Sequence, residues 1–215
     1  MRFANREHAA KLLLDRLRVK YKDQNALVLG VPRGAVPMAK IIADGLAGEL
    51  DVVLVHKLRH PDQPELAIGA IDEEGTAFIA DWAADLGAAY LEREKQHQLA
   101  LLKKRRARYT PLHSPVDPKG RVVIVVDDGI ATGSTFTSAL RAVRAKEPSK
   151  LVGAVAVASP GSARAMLREC DSMVCLNVPG DFYAVGQFFD DFAQVSDDDV
   201  VRILSRKTEP AVVVG

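Results

Sequence analysis

The stretch that most constrains this chain is VVIVVDDGIATGST, which runs from Val122 to Thr135. Five β-branched aliphatic residues are followed at once by two aspartates, Asp127 and Asp128, and then by a loop of small residues. A run that is apolar on both faces is typical of a strand in a parallel sheet that helices cover on each side. The stretch therefore predicts a buried strand with two carboxylates at its carboxyl end, where ligands of open α/β sheets bind.

Short apolar runs recur along the chain, and segments with helical spacing lie between them. Patterns typical of strands cover residues 26–31, 51–58, 151–159 and 172–179, and helical patterns cover residues 35–48 and 134–148. This alternation predicts an α/β fold, an open and mainly parallel twisted sheet with helices on both faces and right-handed crossovers.

Three segments depart from the alternation. Residues 66–80 predict a β-hairpin that turns at 73–75, and residues 83–109 predict a long polar helix. The segment 177–204 is rich in aromatic residues and becomes helical after Ser196, which is suited to an N-cap. Because 215 residues fit one domain, we expect residues 1–215 to fold as a single unit.

The loop after the two aspartates has the composition of an anion site. Gly133 tolerates unusual backbone angles, Thr132, Ser134 and Thr135 supply hydroxyls, and the start of the predicted helix supplies free N–H groups. The aspartates repel a phosphate but accept hydrogen bonds from paired hydroxyls, as in a ribose 2′,3′-diol. Taken singly, the acids could form a metal site or a solvated strand end, and the loop could be a plain turn. Together they favour a sugar phosphate as ligand.

The same stretch resembles the phosphoribosyl pyrophosphate (PRPP) motif of type I phosphoribosyltransferases. Residues 27–39, 57–71 and 182–200 are similar to a bacterial branch of that family whose substrate is not established. The resemblance covers nearly the whole chain and implies the type I fold with a small hood. It also implies that Asp127 and Asp128 hold the ribose hydroxyls, while the residues from Ala131 to Thr135 hold the 5-phosphate.

The resemblance further implies a site for pyrophosphate. Arg33 and Gly34 lie in the loop after the first strand, where the family has its pyrophosphate loop; the alternative is a proline-stiffened turn. Lys57 is the stronger candidate for a pyrophosphate ligand and Arg59 the weaker, the alternative being that both are ordinary surface cations. Residues 58–65 contain two prolines and no periodicity, and they predict a flexible lid.

Mg²⁺ is expected as the cofactor, bound through PRPP, because this ion prefers phosphate oxygens and water to a cage of protein ligands. No residue of the chain is assigned as a metal ligand. Ala131 stands where the oxopurine-salvage enzymes of the family carry a carboxylate. Glu65, at the end of the lid, is then the nearest candidate to exchange a proton with the acceptor; the alternative is that Glu65 faces solvent.

Five of the eleven Phe and Tyr residues cluster near the C-terminus: Phe182, Tyr183, Phe188, Phe189 and Phe192. Core packing is the default expectation for them, and a hood that stacks on a base is the functional alternative. We assign the hood to about residues 1–20 and 178–207, with Val178, Phe182 and Tyr183 at the acceptor.

The resemblance implies a glycosyltransferase that moves ribose 5-phosphate from PRPP to a nucleobase or small amine and releases pyrophosphate. The main alternative is a PRPP-sensing regulator that binds RNA or DNA through the basic run 103–108, although that run also fits a solvated helix end. A hydrolytic use of the pocket is a third possibility. The balance of 29 basic and 28 acidic side chains argues against a dedicated nucleic-acid binder.

The two cysteines, Cys170 and Cys175, match no metal or disulfide pattern. The N-terminus lacks the apolar core of a signal peptide, and no apolar run reaches the ~18 residues of a membrane helix. We therefore expect a soluble cytoplasmic protein with no membrane partner, and a homodimer is compatible with the sequence. The family resemblance further implies a role in nucleotide metabolism.

Overall fold

The computed structural model describes residues 1–111 and 115–205. The strands are β1 (Leu27–Gly30), β2 (Glu49–Val52), β3 (Val55–Arg59), β4 (Ala67–Asp72), β5 (Ala77–Ile79), β6 (Val122–Ile130), β7 (Lys150–Ala158) and β8 (Ser172–Asn177). The helices are α1 (Arg6–Tyr21), α2 (Val36–Leu46), α3 (Ala88–Tyr109), α4 (Ser134–Arg144), α5 (Pro160–Met166) and α6 (Asp197–Ser205). Five parallel strands form the main sheet in the order β2-β1-β6-β7-β8, and β3-β4-β5 form a small antiparallel sheet.

Alternate residues of the central strand β6 face opposite sides of the main sheet. Ile124 and Val126 join α1 and α2 in one core cluster, whereas Val123 and Val125 join α4 in another, and all four are fully buried. Burial on both faces explains why the strand sequence is continuously apolar. The predicted α/β fold, with a parallel sheet between two helical layers, is confirmed.

The prediction of one strand at residues 51–58 is wrong. β2 ends at Val52, which pairs in parallel with Gly30 of β1. β3 begins at Val55, which pairs antiparallel with Asp72 of β4. The chain therefore passes from one sheet to the other across two residues, and because residues 52–55 are continuously apolar, periodicity does not mark the junction.

The predicted hairpin is confirmed as β4 and β5. The Oδ1 atom of Asp72 accepts the N–H groups of Glu74 and Thr76 at 3.0 and 2.8 Å, and Gly75 takes a φ of 93°, which fixes the turn. The small sheet packs on α3 in a third core cluster. α3 begins at Ala88, later than predicted, because a 3-10 turn over Asp81–Leu86 precedes it.

The two ends of the described chain meet beside the main sheet. The N–H of Phe3 donates to the carbonyl of Phe188 at 2.8 Å, and the N–H of Asp190 donates to the carbonyl of Phe3 at 2.9 Å. This pairing joins the two segments assigned to the hood, of which residues 206 and 207 lie outside the described residues. The extent of the hood stays a prediction. In the described part of the chain, no helix has the length and apolar character needed to span a membrane.

Candidate functional site

The two aspartates of the opening stretch lie near the end of β6, where the strand opens into a cleft of about 320 Å³. Three parts of the chain line it, namely Val31, Pro32 and Gly34 of the loop after β1, residues 127–136, and Val185. The N–H of Asp128 donates to Oδ1 of Asp127 at 2.8 Å, so the two carboxylates are held side by side. The structure thus brings the acids, the small-residue loop and the loop after β1 into one cleft.

The acid pair carries unusual titration properties. Burial, followed by the neighbouring Asp128 carboxylate, raises the pKa of Asp127 well above its ordinary value. Burial also raises the pKa of Asp128, and the positive charge of Arg6 opposes that rise. The pair therefore holds on to a proton more strongly than two solvated aspartates would.

Arg6 is the functional-site residue that sequence reasoning missed. Its Nε and Nη2 atoms lie 2.9 and 2.8 Å from Oδ2 of Asp128, and its side chain is 14% exposed. Nothing in the sequence pairs positions 122 residues apart, and the residue looks like any charged residue at the start of an amphipathic helix. Only the packing of α1 against the sheet brings the two together.

The loop from Ala131 to Thr135 forms the start of α4. Gly133 precedes the helix with a φ of 81°, in the left-handed region where glycine is favoured. The N–H groups of the first helical turn have no hydrogen-bond partner inside the helix, and they lie at the positive end of the helix dipole. The hydroxyls of Ser159 and Ser162 donate to the carbonyl of Ala131 at 2.9 and 2.7 Å, which fixes the loop from behind.

Gly34 of the loop after β1 makes the tightest approach to the acids. A Cβ atom at this position would lie 2.3 Å from Oδ2 of Asp128, so only glycine fits. The peptide bond between Pro32 and Arg33 is cis. Arg33 is exposed and is not among the lining residues of the cleft, so its role as an anion ligand stays a prediction.

The other predicted cations lie in a second cleft of about 330 Å³, beside the first. Lys57 and Arg59 at the end of β3 line it together with Glu65, and all three are exposed. Thr135 lines both clefts and marks where they adjoin. The structure therefore places these three residues next to the phosphate loop but in a different cleft from the acid pair.

The predicted lid, 58–65, is in part a strand. Leu58 is fully buried in β3. Two backbone hydrogen bonds hold the turn that follows: the N–H of His60 donates to the carbonyl of Leu66 at 3.0 Å, and the N–H of Leu66 donates to the carbonyl of Gln63 at 2.8 Å.

His56, beside this turn, is neutral in the structure. Arg105 donates to its Nε2 atom at 3.1 Å, so its Nδ1 atom carries the hydrogen and donates to Oε1 of Gln98 at 3.0 Å. Burial lowers the pKa of His56, in keeping with this neutral form.

The residues assigned to the acceptor divide into two kinds. The ring centre of Phe182 lies 5.5 Å from that of Phe188, in keeping with the default expectation of core packing. Val178 and Tyr183 are 46% and 89% exposed. The Oε1 atom of Gln187 accepts the N–H of Tyr183 at 2.9 Å, so the exposed ring stands on an ordered loop.

The basic run 103–108 is not a free cationic patch. Arg106 is buried against Asp51 and Glu73, which contradicts the expectation of a wholly solvated helix end. Arg105 contacts His56, and Arg108 pairs with Asp197 and Asp198. The fold therefore already uses these three arginines, whereas Lys103 and Lys104 of the run are exposed.

The acid pair does not line a larger groove that lies close to it. A groove of about 490 Å³ runs between the β4–β5 hairpin and α4, and its lining is mainly apolar. It reaches Thr132 and Ser134 of the phosphate loop but neither Asp127 nor Asp128. Because the convergent polar groups lie in the smaller cleft, we place the candidate site there.

Comparisons with known proteins agree with this geometry. A family model described as the phosphoribosyl transferase domain matches residues 3–192. A Mycobacterium tuberculosis H37Rv protein named as a phosphoribosyl transferase, with no established substrate, is 39% identical over 207 residues, which cover 95% of this chain and 46% of that protein. The chain thus spans about half the length of the curated relatives it matches.

Two solved structures extend the comparison. The protein TT1426 from Thermus thermophilus is 41% identical and superposes with a TM-score of 0.85, covering 95% of this chain and 98% of that one. The AQ2163 protein from Aquifex aeolicus is 13% identical with a TM-score of 0.51, covering 84% and 78% of the two chains, and shows likeness of fold alone.

Proposed function

This chain belongs to the phosphoribosyl transferase domain family, and we propose that it transfers a ribose 5-phosphate unit from PRPP to a nitrogen nucleophile and releases pyrophosphate. One observation carries the proposal. The acid pair and the phosphate loop open into the same cleft, as a ligand with a diol beside a phosphate requires.

In this mechanism, Asp127 and Asp128 accept hydrogen bonds from the two ribose hydroxyls. The N–H groups and hydroxyls of residues 132–135 hold the 5-phosphate. As the bond from the ribose to pyrophosphate breaks, positive charge develops on the sugar ring. The chain contributes by positioning the sugar, by excluding water and by stabilising the departing anion.

Pyrophosphate would leave toward the loop after β1 and the second cleft. Gly34 lets the backbone approach, and Lys57, Arg59 and Arg33 supply positive charge near that end. Arg33 and the two cations of β3 are exposed, so a modest rotation of their side chains suffices to meet an anion.

Mg²⁺ supplies charge neutralisation for the pyrophosphate oxygens when it is bound. The described residues hold no group of three His, Cys, Asp or Glu side chains arranged for a metal ion. An ion that enters on PRPP and keeps water and phosphate ligands needs no such group from the chain.

The acceptor would approach beneath the C-terminal aromatic segment. Tyr183 and Val178 are exposed there and offer a surface for a flat nitrogen compound. Ala131 supplies no acid or base, which leaves Glu65 of the second cleft to exchange a proton with the acceptor.

We include a cytoplasmic location in the proposal. It is supported by two free thiols, Cys170 and Cys175, which are typical of a reducing compartment.

A screen of nucleobases and small amines with PRPP and Mg²⁺, measured as pyrophosphate release, tests the proposal. We expect release that depends on one class of acceptor and that Asp127→Asn abolishes or strongly reduces. Release without any acceptor would establish hydrolysis instead, and failure of the protein to bind PRPP would overturn the proposal.

Crystals offer an independent test. Any sulfate or phosphate bound by the protein should lie on the N–H groups of residues 132–135. An anion ordered elsewhere, with this loop empty in the same crystal, would count against the phosphate site.

A further inference from the structure

We propose that Arg6 is a positioning residue for Asp128, and that it ties the sugar-binding acid to the C-terminal segment 189–193. The inference rests on the proposed function, because it concerns how the acid pair is prepared for PRPP. It is carried by contacts on both sides of one guanidinium group.

The first side faces the acid. Both Nε and Nη2 of Arg6 reach the same oxygen of Asp128, Oδ2, at 2.9 and 2.8 Å. Arg6 does not contact the other oxygen of this carboxylate, Oδ1. Two N–H groups on one oxygen also fix the carboxylate against rotation, and a charge-assisted contact of this kind is stronger than a neutral one.

The second side faces the C-terminal segment. Nη1 of Arg6 donates to the carbonyl of Ala193 at 2.7 Å, and the guanidinium carbon lies 3.7 Å from the centre of the Phe192 ring. Phe192 in turn stacks on Phe189 with ring centres 4.9 Å apart. Arg6 is therefore seated in the segment 189–193 before any ligand arrives.

Gly34, in the loop after β1, packs against both Arg6 and Asp128. A Cβ atom at this position would lie 3.2 Å from Nη2 of Arg6 as well as 2.3 Å from Oδ2 of Asp128. The loop after β1, the acid and the arginine thus meet at one point. A shift of Arg6 would therefore change the position of Asp128 in the diol-binding part of the cleft and the packing against Gly34 in the part that faces pyrophosphate.

Charge explains why a cation is needed at this point. Asp127 is the other charged group facing Asp128, and the remaining residues that line the cleft carry no charge. Without Arg6, two adjacent half-buried carboxylates would face each other uncompensated, and one of them would keep its proton to a higher pH. A protonated acid accepts one hydrogen bond fewer from the ribose diol.

The experiment measures Mg–PRPP affinity by calorimetry between pH 5.5 and 8.5 for the whole protein and for Arg6→Gln, Arg6→Lys and Arg2→Gln. Arg2 is the matched control, because it joins the N-terminal segment to Asp190 at 2.9 Å and does not touch the acid pair. Thermal unfolding of each variant reports whether the fold survives.

We expect Arg6→Gln to bind PRPP about tenfold more weakly at pH 8.5, where a lost charge-assisted contact dominates. Its affinity should also fall away at a higher pH than that of the wild type as the solution is acidified. Arg6→Lys should keep the wild-type pH midpoint, since it keeps the charge, while losing part of the affinity. Arg2→Gln should match the wild type in both respects.

Equal affinity and an equal pH midpoint in Arg6→Gln and the wild type would overturn the inference and leave the proposed function standing. Wild-type protein that binds no PRPP at any pH would instead remove the proposed function. If Arg6→Gln does not fold, Arg6→Lys decides: weaker binding with an unmoved midpoint supports the positioning role, and unchanged affinity refutes it.

Discussion

Two largely buried clusters in the described part of the chain each contain one arginine and two carboxylates, and they differ in how completely the charges are satisfied. The hairpin cluster consists of Arg106, Asp51 and Glu73; the cleft cluster consists of Arg6, Asp127 and Asp128. Arg106 donates to Asp51 at 2.7 Å, to both oxygens of Glu73 and to a backbone carbonyl at 3.0 Å. Arg6 reaches one oxygen of one acid.

The second oxygen of Asp51, Oδ2, accepts the N–H of Val116 at 3.0 Å. Each carboxylate oxygen of the hairpin cluster therefore accepts a hydrogen bond. In the cleft cluster, Asp127 has no arginine and its pKa is raised by burial and by Asp128. This fold therefore uses buried charge in two ways. Saturated charge joins elements, and unsaturated charge is held ready for a ligand.

The largest expected effect tests the hairpin cluster. Arg106→Met should lower the free energy of unfolding by about 3–5 kcal/mol, because two buried carboxylates lose their counter-charge. Arg108→Met on the same helix is the control, and its exposed ion pairs predict a loss below about 1 kcal/mol. Urea unfolding measures both. Similar small losses in the two variants would show that the hairpin cluster does not stabilise the fold.

The next effect concerns carboxylates that the fold leaves free. Glu65 is exposed in the second cleft, whereas Glu74, in the hairpin turn, is paired with Lys146. Glu65→Gln should lower turnover about tenfold or more, as expected for loss of a proton-transfer group, with little change in PRPP affinity. Steady-state kinetics with Glu74→Gln as control measures this. Normal turnover in Glu65→Gln would assign Glu65 to solvent.

A smaller effect with the opposite sign is expected for stability at the cleft cluster. The pKa of Asp127 is higher in the folded protein than in the unfolded chain, so between these two values the folded state holds the extra proton and loses stability as pH rises. Asp127→Asn removes this cost. The variant should therefore be more stable than the wild type at pH 8, with a difference that shrinks toward pH 5.

Thermal unfolding at both pH values provides the measurement. A variant that is less stable than the wild type at pH 8 would contradict the claim that the cleft cluster carries unsatisfied charge. Asp171→Asn is a suitable control because its carboxylate pairs with Arg144, which lowers the pKa of Asp171 and predicts the reverse sign.

The smallest effect compares the two turns that flank β4. The 73–76 turn is fixed by the Asp72 side chain, whereas residues 60–65 rest mainly on two backbone hydrogen bonds. PRPP with Mg²⁺ should slow hydrogen exchange within 58–65 several-fold and leave 73–76 unchanged, because the ligand brings charge that Lys57 and Arg59 can meet. Equal rates in 58–65 with and without PRPP would refute the lid.

The fold and half of the site could be predicted because their signal is contiguous. The strand, the two acids and the loop of 122–135 follow one another, and the structure keeps them together in one cleft. The hairpin was predictable for the same reason. The junction at 53–54 was not, since residues 52–55 are continuously apolar although the strands on either side belong to different sheets.

The rest of the site depends on contacts between distant positions. Arg6 meets Asp128 across 122 positions, and Arg106 meets Asp51 across 55. In the sequence, Arg106 stands in a basic run that is typical of a solvated helix end. Which arginine of such a run is buried depends on the packing of α3 on the small sheet, and no local pattern encodes that.

The most direct test of the central claim is the Mg–PRPP affinity of the wild type, Asp127→Asn and Asp128→Asn, measured by calorimetry at pH 8. We expect that the wild type binds and that each variant stays folded while binding about 10- to 150-fold more weakly, since a lost charge-assisted hydrogen bond costs roughly 1.5–3 kcal/mol. Unchanged affinity in both variants would contradict the assignment of this cleft to the ribose of PRPP.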